Sequence, residues 1–293
     1  MKGIGFIGVG AMGASMVKNL HRAGFEVSVY ARHPERAQAL ADEGIPLVPD
    51  VAALCRGREF IITIIGAPRD VEQIYFGEGG ILDSAEKGAV VIDSTTSSSS
   101  LARRIYAEAK KRGISAIDAP VSGGVTGAAE GTMTIMAGGD AEDIERARPL
   151  FEVMGGRLFH TGGPGSGQSM KLANQVAAAG AIGGLMDLCE YVKSTGMDLK
   201  KTLEIIMTCT GNTRQMELMA PKLLAGDLDA GFMIRHYYKD LGIARDEAAA
   251  GGGELAVTDF MYSLYGRLVD MGYEDRDFCA VVPMWDELKE KRR

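Results

Sequence analysis

The chain has 293 residues, 46% of them apolar and 24% charged, which supplies a full core and carries no signature of disorder. Its length suits one large domain or, better, two of ordinary size. A net charge of −7 leaves no surplus of Lys and Arg to neutralise phosphates, so nucleic acid is not an expected partner.

Basic residues do gather at Arg103-Arg104, from Lys110 to Arg112 and from Lys289 to Arg293. Each group is interleaved with acids or ends an amphipathic helix, and reads as a solvated face. The four cysteines (Cys55, Cys189, Cys209, Cys279) are far apart, and the four histidines show no ligand spacing. Neither a zinc site nor any other metal is expected. Free thiols fit a reducing compartment. Met1-Lys2-Gly3-Ile4 runs directly into a strand pattern, and no apolar run reaches the ~18 residues of a membrane span. The expectation is a cytoplasmic protein with no membrane partner.

The first half alternates strand and helix. Residues 4–9 form an apolar run ending in glycines, 14–23 have helical spacing, 26–30 read as a second strand and 34–41 as a helix. An Ile-rich strand at 60–65 and a helix at 70–75 follow. Then come a strand at 89–92, a helix at 101–111 and a strand at 115–119. Two further strands, 132–137 and 157–160, flank a helix at 141–151. Such alternation predicts a parallel, doubly wound α/β sheet.

The pattern changes after Gly162-Gly163-Pro164-Gly165, and the rest reads as helix: 168–194, 199–208, 213–224, 234–250, 255–271 and 281–291. Glycines at 196, 226, 251–253 and 272 punctuate them. The first of these helices is long, and small residues fill its middle, so it is expected to lie buried between domains or subunits. The expected architecture is therefore an N-terminal Rossmann domain (1–162) and an all-helical domain (163–293) joined by a long helix.

Gly8-Val9-Gly10-Ala11-Met12-Gly13 is a G-x-G-x-x-G placed between the first strand and the first helix. The first glycine permits a tight turn, the second lets a pyrophosphate approach the backbone, and the third packs helix on strand. The phosphates would meet the positive end of the helix dipole. An acidic residue ~20 positions after the loop usually holds the ribose of NAD. Here the second strand ends Tyr30-Ala31-Arg32-His33-Pro34, and Arg32 can pair with a 2′-phosphate instead. NADP(H) is favoured and NAD(H) stays possible.

Four segments occur in order: Gly5-Phe6-Ile7-Gly8-Val9-Gly10-Ala11-Met12-Gly13, Asp118-Ala119-Pro120-Val121-Ser122-Gly123-Gly124, Lys171-Leu172-Ala173-Asn174-Gln175 and Lys239-Asp240-Leu241-Gly242-Ile243-Ala244. Together they resemble the β-hydroxyacid dehydrogenase family, which includes 3-hydroxyisobutyrate dehydrogenase, tartronate semialdehyde reductase and the succinic semialdehyde/glyoxylate reductases. The similarity covers essentially the whole chain. It implies a Rossmann domain followed by a helical domain, a homodimer or homotetramer, and a small anionic hydroxy acid or semialdehyde as substrate.

The resemblance assigns Ser122, Gly123 and Gly124, at the C-terminal edge of the sheet, to the substrate carboxylate. It makes Lys171 the proton-transfer residue, with Asn174 at i+3 on the same helix face. A free lysine titrates near ~10.4. Desolvation and a cationic nicotinamide would bring it to where it serves as both acid and base. The resemblance also puts Thr96 and Ile65 beside the nicotinamide, and brings Lys239, steadied by Asp240, to the cofactor from the helical domain.

Asn212-Thr213-Arg214 replaces the Ser-Trp or Ser-Tyr pair of many relatives, and Arg235-His236 is also less typical. Arg214 or Arg235 is a candidate for recognising a second polar group on the substrate. Imine reductases share this architecture but generally carry Asp or Tyr in place of the lysine. 6-Phosphogluconate dehydrogenase has a much longer helical region. A non-catalytic nucleotide sensor would not need Lys171, Asn174 and Lys239 together.

Overall fold

The structure is a computed structural model and describes residues 3–229 and 231–290. Contacts divide the chain into two compact units, Met1–Lys171 and Leu172–Arg293.

The first unit is built on an eight-stranded sheet: β1 (Gly3–Ile7), β2 (Glu26–Tyr30), β3 (Phe60–Thr63), β4 (Val90–Asp93), β5 (Ser115–Asp118), β6 (Val121–Ser122), β7 (Thr134–Gly138) and β8 (Arg157–Gly162). The order is β2-β1-β3-β4-β5-β7-β6, with β8 paired to β7. Strands β2, β1, β3, β4 and β5 are all parallel. β3 and β4 are buried along their whole length, which is why they read as unbroken apolar runs rather than alternating ones. The pleat sends Phe60, Ile62, Val90 and Ile92 into one core with Met16, Leu20 and Phe151. Ile61 and Val91 enter a second core with Leu54, Tyr75 and Ile105. Two cores on two faces are the signature of a doubly wound sheet. Because β1 lies between β2 and β3, the strand order reverses there, and ligands bind beyond the carboxyl ends of strands at such a point.

The far edge differs from the all-parallel expectation. Pro120, which cannot donate to a ladder, follows β5, and the chain makes the two-residue β6, which lies outside the expected strands. β7 then runs antiparallel to both β5 and β6, and β8 runs parallel to β7. Short helices at Val51–Cys55, Ile81–Ser84 and Gly124–Glu130 also lie outside the elements expected from periodicity, each spanning too few turns to show one.

The helix Ser166–Thr195 joins the two units. Among the described residues it is the one helix long and apolar enough to cross a membrane. Single polar residues interrupt its apolar stretches, so it contains no unbroken apolar run of that length. Central helices of soluble proteins meet the same criterion.

In the second unit, helices Leu199–Ile206, Arg214–Ala225, Ile234–Ala250 and Ala256–Asp270 gather around Ile182, Leu185, Tyr237, Met261 and Tyr265. Asp198 and Thr213 cap two of them by accepting from Lys201 N and Met216 N. Tyr237 and Tyr265 meet edge to face at 5.0 Å, and the Tyr265 hydroxyl donates to the Phe278 carbonyl at 2.8 Å. The last helix begins at Trp285, later than expected, because Phe278–Val281 forms a separate 3₁₀ turn. The end of the expected helix, at Lys291, lies outside the described residues.

The joining helix makes opposite demands at two of its glycines. A Cβ on Gly180 would meet nothing within 4 Å, whereas one on Gly167 would lie 2.4 Å from the carbonyl oxygens of both Asp118 and Met136. Gly180→Ala is therefore expected to stabilise the protein by up to about 1 kcal/mol, and Gly167→Ala to destabilise it. Thermal unfolding of the two variants beside wild type checks both signs.

Candidate active site

β1 leads directly into the glycine loop. Gly8 has φ +103°, and a Cβ there would lie 2.0 Å from the Ile64 carbonyl oxygen. A Cβ on Gly13 would lie 1.9 Å from the Gly8 carbonyl oxygen. Both positions are closed to side chains by backbone. Gly10 is different: it has an ordinary extended conformation (φ −67°, ψ −176°) and precedes helix Ala11–Arg22 without a side-chain cap. Nothing lies within 4 Å of where its Cβ would be. Open space in front of uncapped helix N–H groups, where Ala11 and Met12 make the first turn, suits a pyrophosphate.

Arg32, at the end of β2, is 60% exposed and paired with Asp70 Oδ1 at 3.3 Å. The other oxygen of Asp70 accepts from Ala67 N at 3.1 Å and so caps helix Pro68–Phe76. The carboxylate absent from the end of β2 is thus supplied to Arg32 by a different strand–helix connection.

Behind the sheet edge lies a buried polar network. Thr63 donates to Asp93 Oδ1 at 2.8 Å and lies 3.2 Å from the Tyr75 hydroxyl. The same Asp93 oxygen accepts from Thr95 N at 3.1 Å. Thr95 Oγ1 in turn accepts from Ile65 N at 3.0 Å, tying together the two segments that carry Ile65 and the half-buried Thr96. Burial pushes the Asp93 carboxyl up to about 6, against the opposing hydrogen bonds from Thr95 and Thr63, and the nearby Asp118 adds to the rise.

Asp118, at the end of β5, accepts from Gly165 N at 2.7 Å and Gln168 N at 2.9 Å. It caps the long helix from another element, and burial raises its carboxyl above the ordinary range despite these bonds. Gln168 is fully buried. Its amide oxygen accepts from Ser97 N at 2.8 Å, and its amide nitrogen donates to the Thr95 carbonyl at 2.7 Å. One turn on comes Lys171, only 6% exposed. Ser122 ends β6, and Gly123 (φ +146°) and Gly124 (φ +64°) open helix Gly124–Glu130 in conformations that exclude side chains.

In the second unit, Asn174 donates to Gln175 Oε1 at 3.0 Å, and Gln175 donates to Asp240 Oδ2 at 2.7 Å. Lys239 Nζ lies 3.0 Å from Asp240 Oδ1. The expected Asn174, Lys239 and Asp240 therefore belong to one chain of contacts, linked by Gln175. Arg214 is 78% exposed and paired with Glu217 at 2.9 Å, and Arg235 is paired with Asp275. Both are engaged by carboxylates of their own unit. Among the described residues, no group of three or more His, Cys, Asp or Glu side chains could hold a metal ion.

Asp70, Asp93, Thr95, Gln168 and Gln175 have no role in the sequence reading. Asp93 carried a signal, since an acid closes a fully apolar strand at the edge where ligands bind. The glutamines carried none, because a buried amide is recognisable only through its partners.

Residues 3–162 match the family described as the NAD binding domain of 6-phosphogluconate dehydrogenase. Residues 165–285 match that described as the NAD-binding of NADP-dependent 3-hydroxyisobutyrate dehydrogenase. The chain belongs to the 3-hydroxyisobutyrate dehydrogenase family. Among similar proteins, an uncharacterized oxidoreductase of Bacillus subtilis is 38% identical, over 97% of this chain and 99% of its own length. The NAD-dependent L-serine dehydrogenase of Pseudomonas aeruginosa is 35% identical over 98% of each. The 3-hydroxyisobutyrate dehydrogenase of Mycobacterium tuberculosis, solved with L-serine, superposes with a TM-score of 0.90 at 30% identity, covering 97% of this chain and 99% of that one. Membership of the 3-hydroxyisobutyrate dehydrogenase family spans both units.

Two outcomes follow from this geometry. Gly10→Ala should fold with an unchanged Tm yet bind reduced NAD or NADP at least about tenfold more weakly, as seen by fluorescence titration, because its methyl fills space and not structure. Asp93 binds its proton more tightly folded (about 6) than at the usual 3.8. Its contribution to stability is therefore full below pH 3.8 and lost as pH rises towards 6, a difference of roughly 3 kcal/mol. Asp93→Asn, which cannot ionise, should gain on wild type by that order between pH 4 and 7 in urea unfolding. A gap that does not change with pH would contradict the assignment.

Proposed function

We propose that this oxidoreductase interconverts a small 3-hydroxy acid and its semialdehyde or keto acid, prefers NADP(H), and uses Lys171 as general acid and base. The observation that carries the reading is a lysine buried to 6% exposure on a helix turn pinned to the carboxyl edge of the sheet, where α/β folds bind ligands.

Gly8, Gly10, Ala11, Met12 and Gly13 would hold the pyrophosphate, Arg32 the 2′-phosphate, Ile65 and Thr96 the nicotinamide side, and Lys239 would also contact the cofactor. The nicotinamide, when bound, supplies or accepts the hydride. Lys171 Nζ takes the hydroxyl proton during oxidation and returns it during reduction. Asn174 orients that hydroxyl or the ammonium. The backbone N–H groups of Gly123 and Gly124 and the Ser122 hydroxyl receive the carboxylate.

Serine and 3-hydroxyisobutyrate, named in the relatives, both pair a carboxylate with a hydroxyl on the β-carbon, the substrate class this arrangement suits. Lys171 speaks against an imine reductase. The free cysteines accord with work in the cytoplasm, and exposed Tyr191, Ile205 and Val257 with a homodimer or homotetramer.

NAD(H) is a second reading with its own support. Asp70 already neutralises Arg32, and one relative is an NAD-dependent enzyme.

The test is a panel of hydroxy acids and semialdehydes assayed with both cofactors. Lys171→Ala should lower kcat by about 100-fold or more, and full activity in that variant would sink the mechanism. Arg32→Asp should move preference from NADP(H) towards NAD(H), whereas an unchanged ratio of kcat/KM refutes the cofactor assignment.

A further inference from the structure

We propose that Gln168 is the positioning residue for Lys171: its amide locks the lysine-bearing turn of the long helix to the Thr95–Ser97 segment. The inference rests on the reading of Lys171 as the proton-transfer residue, and it concerns only the first unit.

Three observations converge. First, the Gln168 amide uses both ends on one short stretch of backbone. It accepts from Ser97 N and donates to the Thr95 carbonyl, much as a neighbouring strand would, so the peptide groups on either side of Thr96 are held in place. Second, the turn itself has no room to slide. Asp118 receives Gly165 N and Gln168 N. A Cβ on Gly165 would fall 2.7 Å from the Ser99 carbonyl oxygen, and one on Gly167 would fall 2.4 Å from two others. Third, Gln168 and Lys171 are three residues apart, on neighbouring positions of one helix face about 4.5 Å along the axis. A side chain that fixes the rotation of the helix at 168 therefore fixes the direction in which the lysine leaves it.

Chemistry explains why the residue is an amide. Glutamate would lose the donor to Thr95 and bury a charge among Asp118 and Asp93. Methionine has a similar length and offers neither bond. Asparagine keeps the amide but is one methylene too short to reach both partners.

The test compares Gln168→Met, Gln168→Asn and Lys171→Ala with wild type in three measurements: the NADP(H) dissociation constant, the pH profile of Lys171 acetylation by acetic anhydride read by peptide mass spectrometry, and steady-state kinetics. A misdirected reacting group costs of the order of 100-fold in rate. Gln168→Met should accordingly lower kcat by about 10- to 100-fold. NADP(H) affinity should stay within about threefold, and the acetylation midpoint of Lys171 should move towards the ~10.4 of an ordinary lysine. Gln168→Asn should shift it in the same direction, and it replaces the Met variant if that one fails to fold.

A wild-type acetylation midpoint in the folded variant overturns the proposal, even if kcat falls, because a purely structural role would leave the lysine's environment alone. The acetylation readout needs no substrate. Activity surviving Lys171→Ala would defeat the functional reading, whereas a silent Gln168→Met beside an inactive Lys171→Ala would defeat only this inference.

Discussion

The capping of the long helix by Asp118 is the constraint on which the site depends. The helix begins after Gly163-Pro164-Gly165 with no capping side chain of its own, and four N–H groups at such an end need acceptors. A carboxylate from the end of β5 accepts from two of them, Gly165 N and Gln168 N, and that carboxylate is buried, so water cannot replace it cheaply. The first helical turn is thereby attached to the sheet edge rather than to the loop before it. Lys171 inherits its burial from this attachment, and the Thr95–Ser97 segment is held by the next side chain along, Gln168. Removing the Asp118 carboxylate would strand at least two buried donors at once.

The cofactor end of the same edge shows a different balance. The glycine loop is set by steric exclusion at Gly8 and Gly13 and by vacancy at Gly10, and only the last is free to serve a ligand. Arg32 is exposed and shares Asp70, so a 2′-phosphate would compete with a carboxylate for one guanidinium. If Arg32 holds that phosphate, as proposed above, discrimination between the two cofactors would rest on the difference between two weak, solvent-screened attractions.

Much of this was legible in the sequence. Unbroken apolar runs at β3 and β4, the glycine spacing after β1 and the helical periodicity of 234–250 each rest on local pattern, and the structure returns them within a residue or two. The antiparallel edge was not legible, because strand direction depends on where a chain pairs and not on its period, and β6 is too short to have one. Lys171 could be found by motif, but Gln168, Gln175 and Asp70 could not. Each has a partner tens of residues away, and one chain without its contacts gives no reason to prefer them over other polar residues.

The Asp240 carboxylate, shared between Gln175 and Lys239, complicates any attempt to weigh Lys239 by deletion. Truncating the lysine would take the neighbouring ammonium from a buried carboxylate, and that penalty can exceed the value of the contact removed. It would also propagate through Gln175 to Asn174, so a loss measured for the lysine would include misalignment of the asparagine. Only a cycle that neutralises Asp240 together with Lys239 separates charge supplied to a ligand from charge needed to keep this unit's own interior balanced.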